Sequence, residues 1–213
     1  MKYQVITIHR DFAAYGRTIA KALSEALSLP WYDRDFVTKT ALESGFESEL
    51  IREEGENLSH RSKWVDSIMS TVHSGYNSSH DDIFRAQSRV ILELSAEPCI
   101  IVGRCSNYVL RMAEVPTFDI YLYASRENRR QRASELLPDE DKSLDPLAGK
   151  KLDPVKDAAE LDKYIARRDE LRRTYYKKYT GSEIDSASNY NICLDVGTLG
   201  VDRCVQILLE ILK

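Results

Sequence analysis

Short apolar runs alternate along this chain with longer segments in which apolar residues recur every three or four positions. The runs at 5–8, Cys99–Val102, 118–123 and 191–194 are rich in β-branched and aromatic residues, as strands buried on both faces are. Pro30 followed by Trp31 and Tyr32 predicts one more short strand. Helical spacing fills 17–27, 81–96, 104–112, Arg126–Leu136, 158–179 and Val201–Leu212. This alternation predicts an α/β fold of three layers, a parallel sheet between two layers of helices. Two segments break the rhythm. Residues 35–80 are polar, helix-prone and free of strand signals, and read as a helical insert. Residues 137–157 hold three of the six prolines and many charges, and read as a mobile loop or lid.

The first predicted strand runs straight into HRDFAAYGRT at 9–18, and a helix follows. Strand, short loop, Gly–basic–Thr and helix is the layout of a phosphate-binding loop. Its physics is simple: amide N–H groups at a helix start point outward unpaired, and the helix dipole adds positive potential there. The usual pattern is G-x-x-x-x-G-K-[ST]; here Asp11 holds the first glycine's place and Arg17 the lysine's. Read alone, the match is partial.

Composition narrows the class. The chain has 213 residues, 43% hydrophobic and 30% charged, as one globular domain requires. A net charge of −4 gives no basic field for nucleic acid, and no apolar run is long enough to span a bilayer. Cys99, Cys105, Cys193 and Cys204 show no C-x-x-C spacing and read as reduced thiols of a cytoplasmic protein. The four histidines, His9, His60, His73 and His80, have no metal-ligand spacing.

Two further groups bear chemistry. The strand at Cys99–Val102 ends in Gly103-Arg104, which puts a guanidinium at the carboxyl edge of the sheet, where open α/β sheets bind ligands. Arg126, Arg129, Arg130 and Arg132 follow the next strand, and Arg167, Arg168, Arg172 and Arg173 lie beyond the 137–157 segment. Two arginine-bearing helices bracketing a loop suit transferring phosphates, because that reaction depends on positioning and charge neutralisation. A solvated charged face is the plainer explanation of such runs. Tyr175, Tyr176 and Tyr179 have helical spacing and read as packing.

Taken together, GRTIAKAL, PWYDRDF, DDIFRAQSRVI, PCIIVGRCSNYVL and RRDELRRTYYKKYTGSEIDSASNYNICLD resemble the cytidylate kinase-like family, a branch of the P-loop nucleoside monophosphate kinases. The resemblance runs from Tyr3 to the C-terminus and is weakest at 43–80 and 137–157. It implies a single kinase-like domain with core segments 1–34, 81–136 and 158–213, a monophosphate-binding insert at 35–80 and a lid at 137–157. It implies ATP and Mg²⁺ as cofactors, with Ala14, Tyr15, Gly16, Arg17 and Thr18 around the β- and γ-phosphates. Arg17 would replace the bridging lysine and Thr18 would offer its hydroxyl to the metal. Asp33, Arg34, Arg104, Asp169 and Arg172 would face the acceptor, and Arg129, Arg132 and Arg168 would stabilise the transferring charge. The implied reaction is phosphoryl transfer to a nucleoside monophosphate, CMP or dCMP first. Another small-molecule acceptor, or a non-catalytic nucleotide-binding protein, are the alternatives.

Two departures qualify what carries over. Relatives have a G-S-G-G loop where this chain has Ala13-Ala14-Tyr15-Gly16, and alanine and tyrosine tolerate positive φ poorly. Cytidylate kinases carry an acid three residues beyond the Arg-Asp pair to read cytosine; Arg172 stands there. A homodimer through the apolar positions of 47–74 is a further expectation.

Overall fold

The computed structural model describes residues 3–43, 79–139, 147 and 149–212. Five strands form one sheet in the order β2-β3-β1-β4-β5. They are β1 (Val5–Arg10), β2 (Trp31–Tyr32), β3 (Cys99–Val102), β4 (Thr117–Tyr123) and β5 (Ile192–Asp195). Every neighbouring pair is parallel. The helices are α1 (Gly16–Leu27), α2 (Arg34–Glu43), α3 (Ser79–Leu94), α4 (Ser106–Met112), α5 (Arg126–Leu136), α6 (Ala158–Thr180), α7 (Val196–Leu199) and α8 (Val201–Leu212). The three-layer α/β/α fold is as the alternation predicts. The middle of the insert and residues 140–146 and 148 of the lid segment lie outside the described residues, as does the expected dimer surface.

Strand alternation divides the core. From β1, Ile6 and Ile8 join Ile100, Val102, Ile120 and Leu122 beneath α1 and α8. Val5 and Ile101 face the other way, into a cluster with Phe84, Ile91, Leu110 and Tyr176 from α3, α4 and α6. A fully buried aliphatic side chain contributes about 1.5–3 kcal/mol, so these two faces dominate stability.

A third, smaller cluster positions the site. Phe12 and Ala13, just past β1, are buried against Ala133 and Leu137 at the end of α5 and against Leu161, Tyr164 and Ile165 of α6. The loop after β1 is thus anchored by apolar contact to the end of α5 and to α6. All four cysteines are free thiols.

Candidate active site

The sheet reverses its winding beside β1: β3 lies on one side and β4 on the other. Carboxyl ends at such a switch leave a crevice where α/β proteins bind ligands. Two strand-to-helix turns border it, Asp11–Tyr15 after β1 and Gly103–Cys105 after β3.

The first turn takes a left-handed backbone at Ala13 (φ 61) and Tyr15 (φ 58). These are the two positions where the resembled G-S-G-G loop has glycine and this chain does not; Gly16 keeps the third glycine. Non-glycine residues thus adopt the left-handed turn here, at a cost of about 1–2 kcal/mol per residue. Tertiary contacts hold it there. Asp11 N–H donates to Leu122 O at 3.0 Å, Tyr121 Oη donates to Asp11 Oδ1 at 2.6 Å, and Phe12 N–H donates to Asp169 Oδ1 at 2.7 Å. Burial pushes the Asp11 carboxyl up from its ordinary value, against the opposing hydrogen bond from Tyr121. Asp11, in the first glycine's place, is a structural acceptor.

α1 then begins at Gly16 with no side-chain cap and no acidic residue in its first turn. Its leading N–H groups face the crevice without a protein acceptor from a capping side chain, which favours an anion. Thr18 is exposed on that turn, and Ala14 is buried beneath it. Arg17 does not lie back along the loop. Its Nη2 is 2.7 Å from Asp33 Oδ2 and also pairs with Asp35. Two carboxylates therefore hold its charge at the start of α2. Asp33 accepts from the Asp35 and Phe36 N–H groups as well, fixing the start of α2, while Arg34 Nε pairs with Asp35 at 2.8 Å.

The second turn has three successive left-handed residues, Gly103 (φ 85), Arg104 (φ 58) and Cys105 (φ 55). This carries the Arg104 guanidinium 5.0 Å over the Tyr175 ring. Tyr175 Oη donates to Gln87 Oε1 at 2.8 Å, and Gln87 Nε2 donates to Thr38 Oγ1 at 3.0 Å. Tyr179 stacks on Phe84 at 3.9 Å, and Tyr176 exchanges hydrogen bonds with Asn107. The tyrosine run is packing, as its spacing predicts.

The remaining arginines divide. Arg129 Nη1 lies 2.6 Å from Asp169 Oδ2 and donates to Phe12 O at 3.3 Å, with both side chains of the pair buried. Arg129 and Asp169 therefore brace the loop from inside, apart from the crevice side of the turn. Arg132 pairs with Glu135 and sits 5.1 Å over the Tyr15 ring. Arg168 and Arg172 both lie over the Phe12 ring, at 5.1 and 5.3 Å. Arg172 Nη1 and Arg104 Nε are buried without a hydrogen-bond partner, and burial lowers Arg172 to about 10.

Arg10 and Phe12 escape the sequence reading. Arg10 ends β1 as Arg104 follows β3, so the same carboxyl-edge placement marks it. Phe12 carries no such signal; its partners come from helices over a hundred residues away.

Among the described residues no group of His, Cys, Asp and Glu is arranged to hold a metal, and no helix is long and apolar enough to cross a membrane.

A parallel sheet in this order, with a strand–loop–helix turn at β1 and guanidinium groups around an uncapped helix start, defines a P-loop phosphotransferase of the kinase type. The profile of the cytidylate kinase-like family matches residues 5–198, and the chain belongs to that family. Among solved structures it is similar to an uncharacterized protein from Eubacterium ventriosum, at 18% identity and a TM-score of 0.70, covering 99% of this chain and 98% of that one. It is also similar to shikimate kinase from Bacteroides thetaiotaomicron, at 13% identity and a TM-score of 0.55, covering 98% and 97%. Both likenesses speak to the fold alone. No curated protein matches the sequence.

Proposed function

We propose that this protein transfers the γ-phosphoryl group of ATP to a nucleoside monophosphate, with CMP and dCMP as the first acceptors to test. The carrying observation is the gathering of Arg17, Arg34 and Arg172 about Arg10, whose stem lies against Gly16 at the uncapped start of α1, with Arg104 on the facing turn after β3. An uncapped helix start and guanidinium N–H groups without partners suit phosphate oxygens, which accept bidentately from arginine. The left-handed turn that Ala13 and Tyr15 adopt despite their side chains supports a working loop over a decayed one.

These residues fit a polyphosphate with its divalent ion. Main-chain N–H groups from Ala14 to Thr18 would hold the phosphates, and the exposed Thr18 hydroxyl would contribute to the Mg²⁺. The metal supplies charge neutralisation on the non-bridging oxygens. An acceptor phosphate oxygen attacks the γ-phosphorus while the bond to the β–γ bridging oxygen breaks, and ADP leaves. Arg104 and Arg34, with Asp33 beside them, orient the acceptor; Arg132, Arg168 and Arg172 offset charge from the α5 and α6 side. Arg129 and Asp169 act by positioning the loop.

Arg172 favours a second reading of the acceptor. A guanidinium has no lone pair for the cytosine amino group, so its Nη1, which among the described residues has no hydrogen bond and only Asp169 at 3.9 Å, suits an anionic or carbonyl oxygen instead. A P-loop kinase acting on a different small-molecule acceptor would use it that way.

ADP release should be assayed across all nucleoside monophosphates and a panel of small phosphorylated and hydroxyl-bearing compounds. Turnover with CMP or dCMP is the expected result. Turnover confined to a non-nucleotide acceptor selects the second reading, and ATP binding without any turnover rejects both.

A further inference from the structure

Arg10 is the least explained charge in the crevice. Its stem lies across Gly16, where an added Cβ would sit 3.0 Å from both Arg10 Cγ and Cδ. Its guanidinium reaches the turn after β3, where a Cβ on Gly103 would come within 2.7 Å of Nη1. The two glycines that begin α1 and follow β3 thus leave room for one side chain, which spans the mouth between them. No hydrogen bond or ion pair holds that side chain among the described residues. Its electrostatic neighbours are mostly alike in sign: Arg172, Arg17 and Arg34 join burial in lowering its proton affinity well below the ordinary arginine value, and Asp33 opposes them.

Gathered like charges that outweigh their counter-charge destabilise the protein alone and favour any anion that enters. Arg17, at the lysine's place in the motif, has already found Asp33 and Asp35 on the acceptor side. Arg10 instead crosses the start of α1, the place where a P-loop lysine would be needed. We infer that Arg10, rather than Arg17, is the cation that the donor polyphosphate meets at the start of α1. This rests on the phosphoryl-transfer reading and assigns the bridging role within it. It also gives this chain's motif, which has Arg17 at the lysine's place, a charge from the end of the strand instead of the first turn of the helix.

Arg10→Met separates charge from packing, because methionine keeps an unbranched stem over Gly16 and removes the guanidinium. The ligand-free variant should melt at or above the wild-type temperature, since an unbalanced cation is gone. Its calorimetric affinity for inorganic tripolyphosphate and for Mg·ATP should fall at least about 10-fold, the scale of one charge-assisted contact. Arg10→Lys should recover part of that loss, and Arg17→Ala should weaken tripolyphosphate by less than about 3-fold. A structural role alone predicts the reverse: a lower melting temperature with affinity intact.

The inference fails if Arg10→Met binds tripolyphosphate as wild type does, or if Arg17→Ala suffers the larger loss. It also fails if wild type binds neither polyanion. Binding is read apart from turnover. Loss of affinity in Arg10→Met, in a wild type that phosphorylates no acceptor, supports Arg10 while rejecting the kinase reading. Intact affinity in an active enzyme does the opposite.

Discussion

The loop between β1 and α1 is held at both ends by arginine against aspartate, in opposite surroundings. At its inner end Arg129 meets Asp169 at 2.6 Å, with their side chains 9% and 6% exposed. Asp169 also accepts from Phe12 N–H, and Arg129 donates to Phe12 O. At its outer end Arg17 meets Asp33 and Asp35, and its own side chain is 52% exposed. Buried charges that lose a partner are left uncompensated in low dielectric, whereas exposed ones return to water. The inner pair is therefore a fixed brace. The outer pair is exchangeable, because water can solvate either partner once they separate.

The largest test of this contrast is Asp169→Ala. It removes the nearest carboxylate from the buried Arg129 guanidinium, leaving Asp11 at 3.8 Å, and strands Phe12 N–H, and should cost about 3 kcal/mol in chemical denaturation. A loss under about 1 kcal/mol would mean the brace is not what holds the loop.

Acid probes the ground just behind the inner end. His9 is buried between the Tyr176 and Tyr190 rings with neither ring nitrogen hydrogen-bonded. Burial chiefly, with Arg10 and Arg111 nearby, lowers it to about 3. The folded state thus binds fewer protons than the unfolded chain. Its stabilising contribution is whole above about pH 6.5 and is lost progressively as pH falls toward about 3, at about 1.4 kcal/mol per unit. Stability at pH 5 should be about 2 kcal/mol below that at pH 7 from this residue. Replacing His9 with Phe should flatten the slope; an unchanged slope would assign it to other groups.

Gly103→Ala tests the second turn. Alanine at φ 85 is strained, and its Cβ would displace Arg10 Nη1. A loss of about 1–2 kcal/mol is expected by thermal denaturation, together with weaker tripolyphosphate binding. Neutral behaviour in both would show that Arg10 does not need that path.

The smallest effect belongs to the outer end. Arg17→Ala should change stability by less than about 1 kcal/mol, and the difference should shrink further in about 0.5 M salt. A loss comparable to Asp169→Ala would erase the distinction between the two ends.

Much of the fold was legible from residue pattern. The strand at Cys99–Val102 and the helices at Arg126–Leu136 and Val201–Leu212 fall where the apolar spacing puts them. Helix α3 begins at Ser79, two residues ahead of the periodic stretch, because polar residues extend a helix without adding to an apolar stripe. The candidate site was legible as a set of residues but not as a set of partnerships. Arg129 and Arg132 share a helix and a spacing, yet one is sealed against Asp169 and the other lies out beside Glu135 and Tyr15.

Sequence alone determined that β1, its loop and α1 follow one another, and that arginines collect at strand ends. Those are local properties, set by side-chain period and by the chemistry of each residue. Only the tertiary structure decided which arginine is braced, which is exchangeable and which is left without an ion pair or hydrogen bond among the described residues. Each outcome depends on burial and on carboxylates brought from distant segments: Asp169 from α6, and Asp33 and Asp35 from the start of α2. The left-handed turn at Ala13 and Tyr15 belongs to the same category, since contacts to Leu122, Tyr121 and Asp169 impose a shape that its own residues resist.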